Sequence, residues 1–384
     1  MIYLDNAATS FPKPHCVIEA ILRAQNNFGA NPGRGGHALS VKAGQTVYEC
    51  REKLAEHFDC EAENVAFTYN CTAALNTAIK GVLKKGDHVI ISSLEHNSVL
   101  RPVHALFKKG LITYSVARVN PLDDNETLRN FIFHIKENTK AIIMTHVSNV
   151  FGTVLPVEKI CALCKARGLL FILDGAQSAG SHPISMKRTG VDILCLPGHK
   201  GLLGPMGTGA LLFCGNIEPE ELIQGGTGSF SLSESQPEVY PDRLESGTLN
   251  MPGIAGLSAG LSYLKCFGGE KAVLEKEGGL IRILTEDLSD IPGVRVYREM
   301  HGGKSSNLIS FNLGQLHSEY VASLLDKNAI AVRAGYHCSY LAHKNYNTSE
   351  KGCIRASVGI FNSRKDVKNL VFSLNKIAKD KNLC

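Results

Sequence analysis

A lysine stands where a largely apolar run ends in a glycine-rich turn near the middle of the chain. Residues 191–196 lead through Pro197 to His199 and Lys200, and four glycines follow by residue 209. A lysine at the end of a buried strand loses hydration, which lowers the pKa of its amine. A neutral amine can attack an aldehyde, and glycines let a large cofactor approach the backbone. A solvated surface turn would contain the same residues, so Lys200 has to be interpreted together with the strand before it.

A carboxylate follows a second apolar run upstream. Residues 169–173 are apolar and are followed by Asp174 and then Gln177. Ligands of open parallel sheets bind beyond the carboxyl ends of strands, so Asp174 and Lys200 would face one crevice. Pyridoxal phosphate requires this pair, because a lysine forms a Schiff base with its aldehyde and a carboxylate keeps its ring nitrogen protonated. The two strand ends therefore predict a pyridoxal-phosphate site.

Polar residues also follow three other predicted strands. Thr72 comes after strand 65–68, His96 after strand 88–92 and Asn149 after strand 141–145. Thr72 is predicted to cap a helix whose free amides and dipole favour a phosphate. Each residue alone has an ordinary structural explanation, such as a cap without a ligand. Their convergence at strand ends favours a common site.

Two further candidate functional residues, Cys338 and Arg355, lie in the C-terminal part of the chain. Cys338 falls in a polar loop that we expect to be exposed, which is an unusual place for a packing cysteine. Arg333 and His337 are expected to favour its thiolate, the nucleophilic form, although a spectator thiol is the alternative. Arg355 follows, and its planar guanidinium matches a carboxylate.

Taken in order, these motifs resemble the class V (fold type I) aminotransferase superfamily. Within it, the chain is similar to the cysteine desulfurase/selenocysteine lyase family and closest to group II. The resemblance runs from Tyr-Leu-Asp-Asn-Ala-Ala near the N-terminus to Arg-Ala-Ser near the C-terminus, and residues 333–338 have the group II pattern Arg-x-Gly-x-His-Cys.

The resemblance implies roles for individual residues. It gives catalytic roles to Lys200, Cys338, His96 and Asp174, with His96 stacked on the cofactor ring. The residues implied to bind the cofactor are Thr72, Ala73, His96, Asn149, Asp174, Gln177, His199, Lys200 and Thr248. The residues implied to bind substrate are Ala7, Asn149, Arg333 and Arg355. Asn31, Arg34 and His37 resemble an entrance loop, and Thr248 is expected to reach across a homodimer interface.

The implied reaction converts L-cysteine to L-alanine and leaves the sulfur as a persulfide on Cys338, and L-selenocysteine is expected to react as well. A sulfur-acceptor protein is a possible partner. The alternatives are an aminotransferase or C–S β-lyase on the same scaffold, in which Cys338 is a bystander, or a regulatory protein that binds the cofactor without turnover. A nucleotide-binding dehydrogenase is disfavoured, since no G-x-G-x-x-G opens a helix after the first strand.

The chain departs from the family pattern at three places. Pro197 replaces a serine that usually binds the cofactor phosphate, Cys71 replaces the first residue of a Thr-Thr pair, and Gly33 replaces a loop histidine. One phosphate contact must therefore come from another group, for which His199 is a candidate.

The predicted fold is α/β. The alternation of strands and helices from residue 65 onward indicates a parallel sheet with right-handed crossovers. We expect a large cofactor-binding domain, residues 15–255, with a mainly parallel seven-stranded sheet flanked by helices. Residues 1–14 and 256–384 are expected to form a smaller α+β domain that carries the Cys338 loop. A single long helix is predicted from Met251 into the 280s.

Bulk properties exclude other classes. The net charge is +5, and the lysines and arginines are scattered rather than clustered in a basic run, which disfavours nucleic-acid binding. No apolar run reaches membrane-spanning length, and the N-terminus has no secretion signal, so we expect a cytoplasmic protein. The twelve cysteines lack a disulfide or metal-binding pattern, and Cys161 and Cys164 are interpreted as packing residues. No metal site is expected.

Overall fold

The computed structural model describes residues 1–33, 35–297 and 306–381. The strands are β1 (Ile2–Tyr3), β2 (Val65–Thr68), β3 (His88–Ser92), β4 (Thr113–Ala117), β5 (Thr139–Thr145), β6 (Leu170–Asp174), β7 (Ile193–Pro197), β8 (Gly209–Phe213), β9 (Val294–Val296), β10 (Leu308–Leu313), β11 (Ile330–Ala331), β12 (Arg333–Gly335) and β13 (Cys353–Ser357). The helices are α1 (His15–Phe28), α2 (Ala38–Phe58), α3 (Cys71–Val82), α4 (Asn97–Lys108), α5 (Asp124–Phe133), α6 (Val157–Arg167), α7 (Met186–Thr189), α8 (Met251–Phe267), α9 (Gly269–Ser289), α10 (Ser318–Lys327), α11 (Tyr340–Asn345) and α12 (Arg364–Asp380). None of the described helices has the length and apolarity needed to cross a membrane.

Seven strands form one sheet in the order β2-β8-β7-β6-β5-β3-β4. Every neighbouring pair is parallel except the two pairs made by β8. The predicted mainly parallel, seven-stranded α/β sheet is therefore confirmed. Strands β7, β6, β5 and β3 are consecutive and parallel, so their carboxyl ends lie side by side.

Both faces of this sheet are covered, which explains why the strands β6, β7 and β8 are apolar at nearly every position. Ile90 of β3 and Ile142 of β5 pack into one core with residues of α2 and α8. Their chain neighbours Val89 and Ile143 point to the other face and pack against α3 and α4. The period-two alternation thus builds two apolar layers that hold the strand ends in place.

A second sheet, antiparallel with the order β12-β13-β10-β9, packs against α9, α10 and α12 around its own core. Strand β1 pairs with β11, and Leu4 is buried in this same core, so the N-terminal segment joins the C-terminal part. The proposed domain division at residue 255 stays a prediction. Because Val273 of α9 packs in the large core and Leu280 of the same helix packs in the small one, we propose that the boundary lies within α9.

The predicted long helix beginning at Met251 is two helices. Gly268 ends α8 with a φ of 110°, and Gly269 begins α9 with a φ of 71°. Such left-handed backbone is open to glycine at little cost and closes a helix by C-capping. The apolar pattern continues through the break, which is why the sequence suggests one helix.

Candidate active site

Four neighbouring strands deliver polar residues to one edge of the large sheet. Strand β6 ends at Asp174, β7 is followed by Lys200, β3 by His96 and β5 by Asn149. The backbone register places Thr145 opposite Asp174 and Asp174 opposite Cys195. The predicted convergence at strand ends is thus present in the fold.

Lys200 lies in the turn after β7, on a backbone fixed by the N-terminal segment. The hydroxyl of Ser10 donates to the Lys200 carbonyl at 3.0 Å. Burial is the main cause that lowers the pKa of the Lys200 amine, and the guanidinium of Arg355 acts in the same direction. The carboxylate of Asp174 opposes both. The environment favours an amine that can become neutral, as a Schiff-base lysine requires.

Asp174 is buried, with 2% of its surface exposed. Its Oδ1 accepts hydrogen bonds from the Ala176 amide at 2.9 Å and from the Cys71 thiol at 3.4 Å. Burial raises the pKa of the carboxyl, while the Ala176 amide and Lys200 oppose that shift. No hydrogen bond from the described residues reaches Oδ2, which leaves this oxygen to accept a proton donor from a ligand.

His96 caps α4, because its Nδ1 accepts the Ser98 amide at 3.1 Å. Burial, followed by the charge of Lys200, lowers the pKa of His96 to about 4. The imidazole is therefore neutral at physiological pH, and a neutral flat ring suits stacking on a cofactor.

Sequence reasoning missed Glu95, the fully buried residue before His96. The Thr145 amide donates to its Oε1 at 2.9 Å, and the Ser92 hydroxyl donates to the same oxygen. Burial raises the pKa of Glu95 to about 8, so a proton is retained at neutral pH. An acidic residue three positions after an apolar strand was the signal that could have identified it.

The predicted cap of α3 is wrong. Asn70 caps this helix, and its Oδ1 accepts the Ala73 amide at 2.9 Å. Thr72 is in the first turn and exposed. Both residues are good caps, but only Asn70 has the extended backbone that a capping residue needs. The Ala73 amide, expected at the phosphate, donates to Asn70 in this structure.

His199 has a nitrogen available for a ligand. Its Nδ1 is buried without a partner among the described residues. Burial, with Lys200 and Lys13 nearby, lowers the pKa of its imidazole to about 4. The carbonyl of His199 accepts the Lys13 amine at 2.7 Å, which holds the turn after Pro197.

Asn149 connects the end of β5 to the loop that carries Cys338. Its Nδ2 donates to the His337 carbonyl at 2.8 Å, and its Oδ1 accepts the Ser339 hydroxyl at 2.6 Å. The Asn97 amide donates to the Cys338 carbonyl at 2.8 Å. The loop is therefore fastened to the residues that follow β3 and β5. Ser339 was not a sequence candidate, since nothing in a polar loop distinguishes one serine.

Cys338 is exposed, as the sequence predicts, but the expectation for His337 is wrong. Both residues have left-handed backbone, with φ values of 56° for Cys338 and 51° for His337, and the first is exposed while the second is buried. His337 is only 6% exposed, and burial lowers the pKa of its imidazole to about 2. It therefore carries no charge that could favour the Cys338 thiolate. From the sequence, a histidine in a polar segment is expected to face solvent. The burial of this side chain depends on the left-handed backbone conformation.

Arg355 is 3% exposed and already has two partners. Its Nη1 donates to the Asn149 carbonyl at 2.8 Å, and its Nη2 donates to Asp5 Oδ1 at 2.7 Å. Its Nε is buried without a partner among the described residues. Arg333 stands farther from Asp5, at 3.9 Å. The pair of arginines forms a cationic corner that suits a carboxylate.

The N-terminal segment closes this corner. Gln177 Nε2 donates to the Ala7 carbonyl at 2.9 Å, and the Ala7 amide donates to the Ser357 hydroxyl at 2.9 Å. Ala7 is therefore held between the large sheet and β13. Asp5 and Ser357, which sequence reasoning missed, complete the contact between the two ends of the chain.

Thr248, Asn31 and His37 line a different cavity from the one lined by Lys200. Thr248 is exposed and lines an open cleft with Asn31 and His37. It also lines a cavity with Ala73, near the start of α3. His37 caps α2, its Nδ1 accepting the Ser40 amide at 3.3 Å. Arg34 lies outside the described residues.

The residues present fit pyridoxal phosphate. Asp174 has a buried carboxylate with one oxygen unused, and it faces a lysine whose pKa is lowered. Close packing at Gly209, where a Cβ would lie 2.7 Å from the backbone of Asn70, keeps the start of α3 against β8. The orphaned His199 Nδ1 and Arg355 Nε offer further polar contacts.

A family model and curated relatives match nearly the whole chain. The family model described as "Aminotransferase class-V" matches residues 2–370. A probable cysteine desulfurase from Methanothermobacter thermautotrophicus is 33% identical, over 98% of this chain and 94% of that protein. A cysteine desulfurase from Serratia proteamaculans is 32% identical, over 99% and 94%.

Solved structures have the same fold. The apo structure of a cysteine desulfurase from Thermococcus onnurineus NA1 has a TM-score of 0.90 and 30% identity, and the match covers 99% of this chain and 95% of that one. The cysteine desulfurase CsdA from Escherichia coli, in an S-sulfonic acid form, has a TM-score of 0.88 and 25% identity, with 98% and 94% covered.

Proposed function

The chain belongs to the class V aminotransferase family, and we propose that it is a pyridoxal-phosphate-dependent cysteine desulfurase, which converts L-cysteine to L-alanine and leaves a persulfide on Cys338. The observation that carries the proposal is the position of Cys338. Its thiol is exposed, while its backbone is fastened to Asn97 and, through His337, to Asn149. A spectator thiol has no need of this anchoring beside the cofactor residues.

Four groups of the chain would hold and tune the cofactor. Lys200 would attach it covalently, Asp174 would accept the ring N–H at Oδ2, and His96 would stack on its face. His199 would supply a polar contact to the phosphate, because Pro197 has no side-chain donor. When bound, pyridoxal phosphate supplies an electron sink for the negative charge that develops at the substrate Cα.

The substrate is oriented by the cationic corner. Its carboxylate would bind the unpartnered Nε–H of Arg355 together with Nη2, while Asp5 and Asn149 keep the guanidinium in one plane. Lys200, with its lowered pKa, would take the Cα proton. Bidentate binding to a fixed arginine restricts the amino acid to one orientation, which brings its side chain toward Cys338.

Sulfur transfer then involves two sulfur atoms. The Cys338 thiolate attacks the γ-sulfur of the substrate, a sulfur–sulfur bond forms, and the Cβ–S bond breaks. The sulfur is oxidised to the sulfane level and the substrate carbon is reduced by the same two electrons, so no external oxidant is needed. Protons taken from the substrate Cα and from solvent complete alanine. The persulfide can be passed to an acceptor protein or reduced to sulfide. Selenocysteine would react similarly.

We also propose a homodimer in which Thr248 contributes to the partner's site. Thr248 is exposed and shares an open cleft of about 840 Å³ with the entrance loop and with Gly226–Gly228. Several large apolar side chains near this region are exposed, including Leu222, Ile223 and Phe230. A cytoplasmic location is part of the same proposal, since all cysteines within the described ranges are free thiols.

One experiment tests the proposed reaction against its alternatives. Purified holoenzyme is incubated separately with cysteine, selenocysteine and cysteine sulfinate, and alanine is measured together with the released sulfide, selenide or sulfite. Alanine formed in a one-to-one ratio with sulfur in the presence of a thiol reductant supports desulfuration. Pyruvate and ammonia in place of alanine would indicate a β-lyase and would overturn the proposal.

A further inference from the structure

Three side chains that can bind a metal ion meet next to Cys338 in the interior of the chain. They are His337, His343 and Cys353, and one ligand atom from each lies within 4.8 Å of the others. His337 precedes Cys338, His343 belongs to α11, and Cys353 begins β13. His343 is 1% exposed and Cys353 is 0% exposed, so the cluster is shielded from solvent.

The geometry is close to that of a metal centre. The Nδ1 atom of His337 lies 3.9 Å from the sulfur of Cys353. A tetrahedral zinc ion with Zn–N of about 2.0 Å and Zn–S of about 2.3 Å places nitrogen and sulfur roughly 3.6 Å apart. The rings of His337 and His343 are nearly parallel, at 9°, with centroids 5.9 Å apart. All three ligand atoms lie within 4.8 Å of one another, so side-chain shifts of about 1 Å would bring them to one ion.

The two imidazoles also have buried nitrogens without partners. Nδ1 of His343 bonds to the Thr348 hydroxyl at 2.7 Å, an outer contact of the kind that orients metal-binding histidines. The carbonyls of Arg333 and Tyr336 lie near the two rings, but neither Nε2 atom makes a hydrogen bond with any described residue. Unpartnered buried nitrogens are costly, and an ion bound through Nε2 of His343 and Nδ1 of His337 would remove that cost for His343.

We propose that His337, His343 and Cys353 form a Zn²⁺ site, with water as the fourth ligand. The mixed nitrogen and sulfur set suits zinc, and it provides none of the oxygens that Mg²⁺ or Ca²⁺ require. Binding releases the thiol proton of Cys353 to solvent. The separations of five and nine residues between the ligands match no zinc motif, which explains why the sequence suggests no metal.

The site would join two parts of the active centre. His337 is adjacent to Cys338, and Cys353 stands two residues before Arg355 on β13. A zinc ion bound to both would fix the loop of the nucleophile relative to the strand of the carboxylate-binding arginine. It would also hold the left-handed conformation of His337 and Cys338, which non-glycine residues adopt at a cost.

The test uses chelator-treated holoenzyme. Zinc bound after equilibrium dialysis is measured by mass spectrometry, and Co²⁺ is used as a spectroscopic probe of thiolate ligation. We expect one zinc per chain and a thiolate-to-cobalt charge-transfer band. Both should be lost in Cys353→Ser and retained in Cys266→Ser, which changes an exposed thiol elsewhere. Binding of Mg²⁺ should not be detected.

A second variant, His343→Gln, tests the site independently of whether Cys353→Ser folds. Zinc should raise the Tm of the wild-type chain by several degrees and leave the Tm of His343→Gln unchanged, with both proteins showing the same circular dichroism. The proposal is overturned if no zinc binds. It is overturned equally if the cobalt band survives Cys353→Ser or disappears in Cys338→Ser, because the metal would then be held by the exposed thiol. These results leave the desulfurase proposal standing, since they do not depend on turnover.

Discussion

The guanidinium of Arg355 and the carboxylate of Asp5 are joined by a 2.7 Å hydrogen bond between residues from opposite ends of the chain. The contact lies at the junction between β13 and the N-terminal segment, where Arg355 is buried and Asp5 is partly exposed. It orients the arginine before substrate arrives, and it leaves Nε as the donor without a partner.

Arg355→Lys should raise the KM for cysteine by about 10- to 100-fold, because a lysine cannot donate two parallel hydrogen bonds and each charged bond contributes about 1.5–3 kcal/mol. The kcat should fall much less. Asp5→Asn, which keeps an acceptor oxygen for Nη2, is the matched variant and should have a smaller effect on KM. Steady-state kinetics check this. An unchanged KM in Arg355→Lys would mean that another group binds the carboxylate.

Lys200 should be the lysine that forms the Schiff base. Borohydride reduction of holoenzyme followed by peptide mapping should place the pyridoxyl group on it. Lys13 is the competing candidate, since burial lowers the pKa of its amine to about 8. That amine is bonded to the His199 carbonyl and the Ser10 hydroxyl, each at 2.7 Å, which keeps it from reacting. An adduct on Lys13, or one that persists in Lys200→Ala, contradicts the assignment.

Asp174→Asn should retain cofactor but lose activity by several orders of magnitude, because an amide does not stabilise a protonated ring nitrogen. Absorbance of bound cofactor and turnover are measured on the same sample. Asp192→Asn is the control, since Asp192 accepts the Phe171 amide at 2.8 Å near the start of β7, away from the site. Near-normal turnover in Asp174→Asn would show that another carboxylate has this role.

Glu277 should make the fold less stable as the pH rises. This residue of α9 is buried, lines a cavity with Lys200 and Asn307, and has its pKa raised to about 8 by burial. Below the ordinary glutamate value of about 4.3, both the folded and the unfolded state bind the proton. Between that pH and 8 the unfolded state has lost the proton and the folded state keeps it. The free energy of unfolding therefore falls over this window, and the loss is complete above pH 8.

Urea unfolding at pH 5 and pH 8 measures this effect. Glu277→Gln should reduce the loss of stability between the two pH values, because the neutral amide does not titrate. Glu275→Gln, an exposed neighbour on the same helix, should leave the pH dependence as in the wild type. Equal slopes for Glu277→Gln and the wild type would contradict a raised pKa.

Sequence patterns predicted most of the large sheet, because buried parallel strands are continuous apolar runs and the residue after each run must face the crevice. Lys200 and Asp174 could be found in this way. The cap of α3 could not, since Asn70 and Thr72 are both good capping residues and only the backbone decides between them. The helix break at Gly268 was hidden by a continuous apolar pattern.

Long-range contacts were beyond sequence reasoning. Nothing local indicates that Asp5 pairs with Arg355, because the pairing depends on β1 joining β11. The burial of His337 likewise depends on a left-handed turn that a non-glycine pair rarely adopts. Packing of distant segments, rather than local propensity, decides these positions.

Mass spectrometry after a brief exposure of holoenzyme to cysteine tests whether Cys338 carries the persulfide. We expect one added sulfur on the peptide that contains Cys338 and none on the peptide of Cys266, the other exposed thiol among the described cysteines. Cys338→Ala should bind cofactor normally and lose desulfuration of cysteine, while selenocysteine turnover should suffer less because selenium leaves more readily. Unmodified Cys338 in the wild type, together with wild-type cysteine desulfuration by Cys338→Ala, would contradict the persulfide mechanism.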